Sequence, residues 1–375
     1  MSHHQHFCRR VRNVAVVTLA LGAAACLNVT PAPAPSHHFL ERSYAFQNGK
    51  DTSLMYEGQA AAHIFLVDGL PDAYARISDS LRDPTAAAWR VIVTPMFRIR
   101  QLKDSSAAVR TPSFMPRVSL ERTWATRLGA LDTTGGTLYF DRARVTGARI
   151  TLAHHSNGQA GCFREGFEPI DPRSNVCRPI VGADTTTVRL NRANGDFSST
   201  FVNVLLHATW RNGNTAPRAT WSTGVGIGGD LHVPGLFGAL SAEQRELYGG
   251  WRLRGHMEHM LLVGEHCDVV PAGASITRAA CYLRGKSRLS ADYERAPRDP
   301  GPLARRIQPA VVPYRYAIEY SHAFDALLRA GIFVRYHDGQ DYYNIGFAQR
   351  RRMLVVGAVL DASGADAIGT RVIAF

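Results

Sequence analysis

Residues 251–261 read WRLRGHMEHML, and apolar and polar residues alternate along this stretch. The apolar positions are Trp251, Leu253, Met257 and Leu261, and the polar positions between them are Arg252, Arg254, His256 and Glu258. Successive side chains of a β-strand point to opposite faces of a sheet. The alternation therefore predicts a strand with one apolar face and one charged face.

The same alternation recurs at 89–101, at 314–321 and in several other segments. A half-buried soluble sheet would give this pattern too, but three features favour a membrane barrel. Several segments reach the roughly 9–11 residues that a tilted strand needs to cross a bilayer. Aromatic residues stand at segment ends, as interface girdles require, at Trp89, Trp124, Tyr139, Trp210 and Trp251. Many arginines lie on the polar face, which suits a lumen better than a dry sandwich core.

The sequence therefore predicts an all-β fold, an antiparallel transmembrane β-barrel of about twelve strands over residues 87–375. The chain ends TRVIAF, in which Ile373 and Phe375 share a face. A terminal strand with an aromatic last residue resembles the assembly signal of outer-membrane barrels.

Residues 1–25 have the pattern of a secretory signal peptide. Arginines at 9, 10 and 12 precede an apolar core at 14–21, and three alanines precede Cys26. Cleavage after Ala25 would leave Cys26 first, so lipidation of that cysteine is a second interpretation. Residues 26–86 are read as an N-terminal segment, a PAPAPS linker followed by a region that the sequence leaves open.

Apart from Cys8 and Cys26, which lie in or beside the signal segment, the chain has four cysteines, at Cys162, Cys177, Cys267 and Cys281. They form two local pairs in Pro/Gly-rich segments, and neither pair has the C-x-x-C spacing typical of a metal site. In an exported chain this arrangement predicts two disulfides, each closing a loop.

The chain carries a formal net charge of +12, and most of its cationic residues are arginines. Nucleic acid is not an expected partner of an exported chain. An anionic membrane surface or lipid phosphates fit the charge better, although a generally basic surface would show the same composition.

Residues 150–159 read ITLAHHSNGQ and contain the candidate catalytic pair. Ile150, Leu152, His154 and Ser156 fall on one face of a strand, so His154 and Ser156 follow the apolar, lipid-facing row. A serine hydroxyl beside an imidazole is the arrangement that a nucleophile and its general base need. Taken alone, an H-x-S pair more often consists of two polar residues without a catalytic role at the end of a strand.

The H-x-S-N-G motif on a lipid-facing strand resembles the catalytic motif of the outer-membrane phospholipase A family. Residues 104–120 (DSSAAVRTPSFMPRVSL) resemble the Ser-Ser…Arg…aromatic-x-Pro stretch of that family, and residues 331–361 resemble its penultimate hairpin. The resemblance implies a twelve-stranded barrel in the bacterial outer membrane that hydrolyses acyl esters of phospholipids.

Carried over residue by residue, the resemblance makes Ser156 the nucleophile and His154 the general base. The amide of Gly158 would help to hold the tetrahedral oxyanion. The family orients its histidine with an asparagine on the next strand, and this chain has Thr200 at that position. Asn203 lies nearby in sequence, but strand parity directs it inward.

The resemblance also implies a calcium ion shared between two subunits, and hence a homodimer. Its ligands would be the backbone carbonyl of Gln159, where the family has arginine, the hydroxyl of Ser198, and Ser106 of the partner copy.

Two alternative functions remain. A barrel that kept the fold and lost the chemistry would serve as a channel or structural protein, and the threonine at position 200 motivates this alternative. Lipid A deacylases also carry a lipid-facing H-x-S-N motif, but on eight strands.

Overall fold

The computed structural model describes most of the chain between residues 38 and 360. The described residues are 38–47, 54–79, 83–102, 109–134, 137–171, 176–184, 189–191, 194–212, 221–233, 238, 240–263, 285–296, 302, 306, 312–324, 327, 330–343 and 349–360. The predicted signal peptide, Cys26, the Cys267/Cys281 pair and the terminal TRVIAF lie outside them.

Antiparallel strands dominate the described part of the chain. The strands are β1 (Ser43–Gln47), β2 (Leu54–Ala61), β3 (Ile64–Asp68), β4 (Thr85–Thr94), β5 (Met96–Leu102), β6 (Val109–Phe114), β7 (Arg117–Thr134), β8 (Thr137–Ser156), β9 (Phe167–Pro169), β10 (Cys177–Pro179), β11 (Ser198–Asn212), β12 (Trp221–His232), β13 (Trp251–Val263), β14 (Gly285–Arg295), β15 (Tyr314–Phe324), β16 (Ala330–Gln340) and β17 (Arg350–Leu360). Two helices, α1 (Leu70–Asp79) and α2 (Ala242–Tyr248), interrupt them.

Three of the barrel strands are each divided by a short irregularity. β2 continues into β3, β4 into β5 and β6 into β7, with breaks at residues 62–63, Pro95 and 115–116. A proline cannot donate to the strand ladder, so breaks at prolines are expected. Backbone hydrogen bonds still cross the breaks, from Ala62 to the Pro95 carbonyl (3.2 Å) and from Met115 to the Met96 carbonyl (2.8 Å). With these pairs counted as single strands, twelve strands form the closed ring, and β9 and β10 form a separate hairpin.

The predicted twelve-stranded barrel is confirmed, but it begins earlier than the predicted boundary at residue 87. β1 pairs with β17, with Tyr44 opposite Val359, and so closes the ring. β1 also pairs with β2, so residues 43–86 belong to the barrel. Alternation does not mark β2 clearly, because the buried Gln59 lies between Gly58 and Ala60, and Tyr56 is the one large exposed side chain among the described side chains of this strand. The closing strand is β17, which ends before the terminal TRVIAF.

The two faces of the barrel differ in polarity, as the alternation predicts. Large apolar side chains are exposed on the outside, with Ile227 at 65% and Leu354 at 59% of their full accessibility. The inward side chains of the same strands include fully buried charged residues, such as Arg252 at 1% and Glu121 at 1%. An outward apolar surface and a polar interior are the pattern of a membrane barrel.

Ion pairs fill much of the lumen. Glu121 contacts Arg149 (2.9 Å) and His207 (2.7 Å), and it lies 3.4 Å from Arg90. A buried charge is costly unless it is paired and hydrogen-bonded, so these contacts allow the charged faces to be buried.

The segment at residues 38–42 lies inside the lumen. The Phe39 ring contacts the rings of His207 and His256, and the Phe39 carbonyl accepts a hydrogen bond from Arg149 (3.1 Å). His38 Nδ1 contacts the carboxylate of Glu258. β12 has room for this segment because Gly224 has no side chain there.

Helix α1 packs against the inward faces of β4, β7 and β8, far from the Ser156 end of β8. Tyr74 and Ile77 are buried there against small strand residues, including Ala88 and Ala125. Neither helix in the described residues is long and apolar enough to cross a membrane.

Gly224→Val is expected to destabilise the protein by about 1–3 kcal/mol, because overpacking of a filled interior costs that much. A β-carbon at this position would lie 2.8 Å from His38 Nδ1 and 3.0 Å from the Phe39 ring. Thermal unfolding in detergent, followed by circular dichroism, measures the effect. Gly255→Val is the matched control, since its β-carbon would meet open space. Equal losses in both variants would contradict this account of the lumen segment.

Candidate active site

The candidate residues lie together on the outer face of two paired strands. In the ladder of β8 and β11, His154 is opposite Thr200 and Ser156 is opposite Ser198. Exposed Ile150 and Leu152 precede them on the same face. The four polar side chains therefore lie at the end of the outward apolar row.

His154 has a hydrogen-bond partner on the neighbouring strand. Its Nδ1 lies 3.1 Å from the hydroxyl oxygen of Thr200, which is 2% exposed. A threonine hydroxyl can accept a hydrogen bond from Nδ1–H, and this tautomer leaves a lone pair on Nε2. Ser156 forms no hydrogen bond with the imidazole among the described contacts. Catalytic hydrogen bonds are often long in structures without substrate and tighten in the complex.

Strand parity distinguishes the two adjacent histidines. His155 points inward, where its Nε2 lies 3.2 Å from Ser113 Oγ and its ring packs edge-on against Phe197. His155 is therefore an interior histidine with partners, while His154 faces outward beside Ser156.

Asn203 also points inward. Its amide nitrogen donates to the Gly229 carbonyl (3.2 Å) and to Asp230 (2.7 Å). Asn203 therefore cannot orient His154 from the outer face, and among the described residues that contact belongs to Thr200.

The turn after β8 is held by Asn157, a residue that the sequence reasoning did not single out. Its Oδ1 accepts hydrogen bonds from the amides of Gln159 (3.2 Å) and Phe197 (3.0 Å), and its Nδ2 donates to Gly195 (2.7 Å). Gly158 follows with φ +66°, a left-handed conformation that favours glycine. Asparagine before glycine is a known turn signal that could have identified Asn157.

Gly238, which the sequence reasoning also missed, packs against the site from the connection between β12 and α2. It has φ +122°, and a β-carbon there would clash with Ser198 Oγ and lie 3.4 Å from Cε1 of His154. The Thr200 carbonyl accepts a hydrogen bond from the nearby Val233 amide (2.9 Å). Gly238 therefore lies beside Ser198 and His154 on the outer face.

The long connection between β8 and β11 leaves the two strands paired. The ladder runs without interruption from Ser198–Ser156 to Asn212–Arg142, so the described residues of this connection lie beyond the end of the ladder. The disulfide predicted between Cys162 and Cys177 is present in this loop and joins its start to the β9–β10 hairpin.

The predicted calcium ligands are only partly within the described residues. Ser106 lies outside them, Ser198 lies on the outer face, and Gln159 lies in the turn held by Asn157. Hydroxyl and carbonyl oxygens are the donor types that calcium prefers. The described residues contain no group of three His, Cys, Asp or Glu side chains with metal-site geometry.

No protein-family model and no curated protein sequence matches this chain. Among solved structures, outer membrane phospholipase A from Escherichia coli is similar, with 11% identity and a TM-score of 0.41 over 89% of this chain and 99% of that one. An active-site mutant of that enzyme gives the same identity and TM-score over 90% and 93% of the two chains. A likeness this distant assigns neither a family nor a function.

Proposed function

We propose that this protein is an outer-membrane serine hydrolase that cleaves acyl esters of phospholipids. The observation that carries the proposal is the 3.1 Å contact between His154 Nδ1 and Thr200 on the outer barrel wall, with Ser156 two residues further along the same face. A nucleophile, a base and an orienting acceptor are the three parts that serine hydrolases use.

The proton route follows from the tautomer of His154. Nδ1–H donates to the Thr200 oxygen, so Nε2 can accept the Ser156 proton as the serine oxygen attacks the ester carbonyl. The same nitrogen then returns the proton to the leaving alcohol, and water repeats the cycle on the acyl-enzyme. The outward position of Ser156 suits a substrate that stays in the membrane.

Thr200 is a weaker third member than a carboxylate or an amide. Its neutral hydroxyl fixes the tautomer of His154, but it stabilises the imidazolium less than a negative charge would. We therefore expect the enzyme to be slow rather than inactive.

The Gly158 amide, in the turn held by Asn157, is the proposed oxyanion donor, since preorganised backbone donors usually supply a large share of the rate. Calcium held by the Gln159 carbonyl, Ser198 and Ser106 of a second copy would add positive charge beside the oxyanion when bound. This part of the proposal includes a homodimer, because Ser106 would come from the other subunit.

The alternative functions are less well supported. Twelve strands do not fit the eight-stranded lipid A deacylases. An open channel is not favoured by residues 38–42, which lie inside the lumen and contact its walls. A barrel that has lost its catalytic activity would show neither phospholipid hydrolysis nor labelling of Ser156.

Ser156→Ala is expected to lower phospholipid hydrolysis at least about a thousandfold, because loss of a serine nucleophile removes the covalent pathway. Release of fatty acid from a fluorescent phospholipid in detergent measures the activity, and a fluorophosphonate probe should label the wild type at Ser156. Ser287→Ala, on β14, is the control and should keep full activity. A folded wild type without activity and without labelling would contradict the proposed function.

Thr200→Val is expected to lower kcat about tenfold, since the lost hydrogen bond is worth about 1.4 kcal/mol. Valine keeps the shape of threonine and removes the acceptor for His154 Nδ1. Thr200→Ser keeps a hydroxyl and should retain most of the activity. Equal kcat values in the valine and serine variants would show that the hydroxyl does not orient His154.

Removal of calcium by a chelator is expected to abolish activity, and Ser198→Ala should raise the calcium concentration needed to restore it. Calcium should also raise the unfolding temperature of the wild type, because a ligand that binds only the folded state stabilises it. The shift should be smaller in Ser198→Ala. Calcium that changes neither activity nor unfolding temperature would contradict this part of the proposal.

A further inference from the structure

The barrel lumen contains a cavity of about 370 Å³ whose walls carry more cationic than anionic side chains. Eight arginines line it, against four carboxylates, at Glu41, Asp292, Glu294 and Glu319. Carboxylates behind the walls also contribute, so the excess has to be judged from the individual ion pairs.

Two arginines that line this cavity, Arg254 and Arg315, share two carboxylates with Arg252, which lies outside the cavity lining. Glu294 accepts from Arg252 (2.5 Å) and Arg315 (2.5 Å) and lies 3.2 Å from Arg254, while Arg254 also pairs with Asp230 (2.5 Å). Glu294 is 5% exposed and Arg252 only 1%. A buried guanidinium without its own counter-charge is costly, so this cluster favours an additional anion.

Arg117 adds a further positive charge beside the same cluster. It pairs with Glu41, but its Nε is buried and donates no hydrogen bond among the described contacts. The charges of Arg254 and Arg315 both repel its guanidinium. These arginines come from β7, β13 and β15, so the closed barrel brings together charges that are distant in sequence.

Three other acidic residues of the lumen have partners outside this cluster. Glu319 pairs with Arg42 and Arg335. Glu121 contacts Arg149 and His207, and it lies near Arg90. Asp292 pairs with His256 at 2.5 Å. These carboxylates therefore do not neutralise the cluster around Glu294.

We propose that this cavity binds a phosphate-type oxyanion between Arg117, Arg254 and Arg315. Guanidinium groups present paired N–H donors that match the oxygen spacing of phosphate, and a desolvated site strengthens each contact. The cavity is larger than a phosphate ion, so the phosphate of a small glycerol ester fits the same chemistry. This binding site does not depend on the proposed catalytic site, which lies on the outer face of the wall.

Binding is tested on the full-length protein in a neutral detergent and a phosphate-free buffer. Inorganic phosphate should raise the unfolding temperature more than chloride at equal ionic strength, with a shift that grows with the logarithm of phosphate concentration. In phosphorus NMR, the protein should broaden the phosphate resonance. Sulfate should restore the narrow linewidth by competing for the same site. A parallel titration with glycerol phosphate distinguishes the sources. Tighter binding of the ester indicates a lipid-derived headgroup, and tighter binding of phosphate indicates the free ion.

Arg117→Gln and Arg315→Gln are each expected to weaken phosphate binding at least about tenfold, because each removes a charge-assisted contact. Arg352→Gln is the matched control, since Arg352 is exposed, pairs with Asp338 and does not line the cavity. In chloride, Arg315→Gln should have an unfolding temperature no lower than that of the wild type, because the substitution removes surplus positive charge from the cluster.

Three outcomes would overturn the proposal. Phosphate that stabilises the wild type no more than chloride does would exclude the site, as would unbroadened phosphate resonances. Equal phosphate affinity in the wild type and in Arg117→Gln would place binding elsewhere. If Arg315→Gln does not fold, Arg117→Gln and the sulfate competition on the wild type still decide the question.

Discussion

The closure of the sheet into a ring is the constraint on which the rest of this structure depends. Inside a bilayer no water can satisfy backbone N–H and C=O groups, so a sheet must have no free edge. The short strand β1 (Ser43–Gln47) meets this requirement, because it pairs with β17 on one side and with β2 on the other. The ring then has one face toward lipid and one toward a lumen, and every side chain is assigned to one of them.

The two faces carry separate chemistry because of this division. The lumen holds buried ion pairs, such as Arg149 with Glu121, and the segment at residues 38–42. The outer face carries His154 and Ser156 where the apolar row ends. A reaction at Ser156 would therefore take place at the membrane surface, while anion binding in the lumen would be shielded from lipid by the thickness of the wall.

Much of the fold was predictable because alternation is a local property of a strand. It did not mark β2 within residues 43–86, since the inward Gln59 lies between Gly58 and Ala60, and Tyr56 is the one large exposed side chain among the described side chains of this strand. Parity also predicted correctly that Asn203 points inward. The Asn-Gly pair marks a turn at Asn157, but the hydrogen bonds of Asn157 to the backbone of Gly195 and Phe197 join residues that are distant in sequence, so local patterns do not predict them.

The sequence by itself determined a barrel with an arginine-rich interior and an outward H-x-S pair, because period-two alternation assigns side chains to faces without knowledge of their neighbours. Only the tertiary structure decided which strands are adjacent and in which register. Register brings Thr200 to 3.1 Å from His154, and barrel closure gathers Arg117, Arg254 and Arg315 around one cavity. Both depend on pairing between distant segments, which local patterning does not encode.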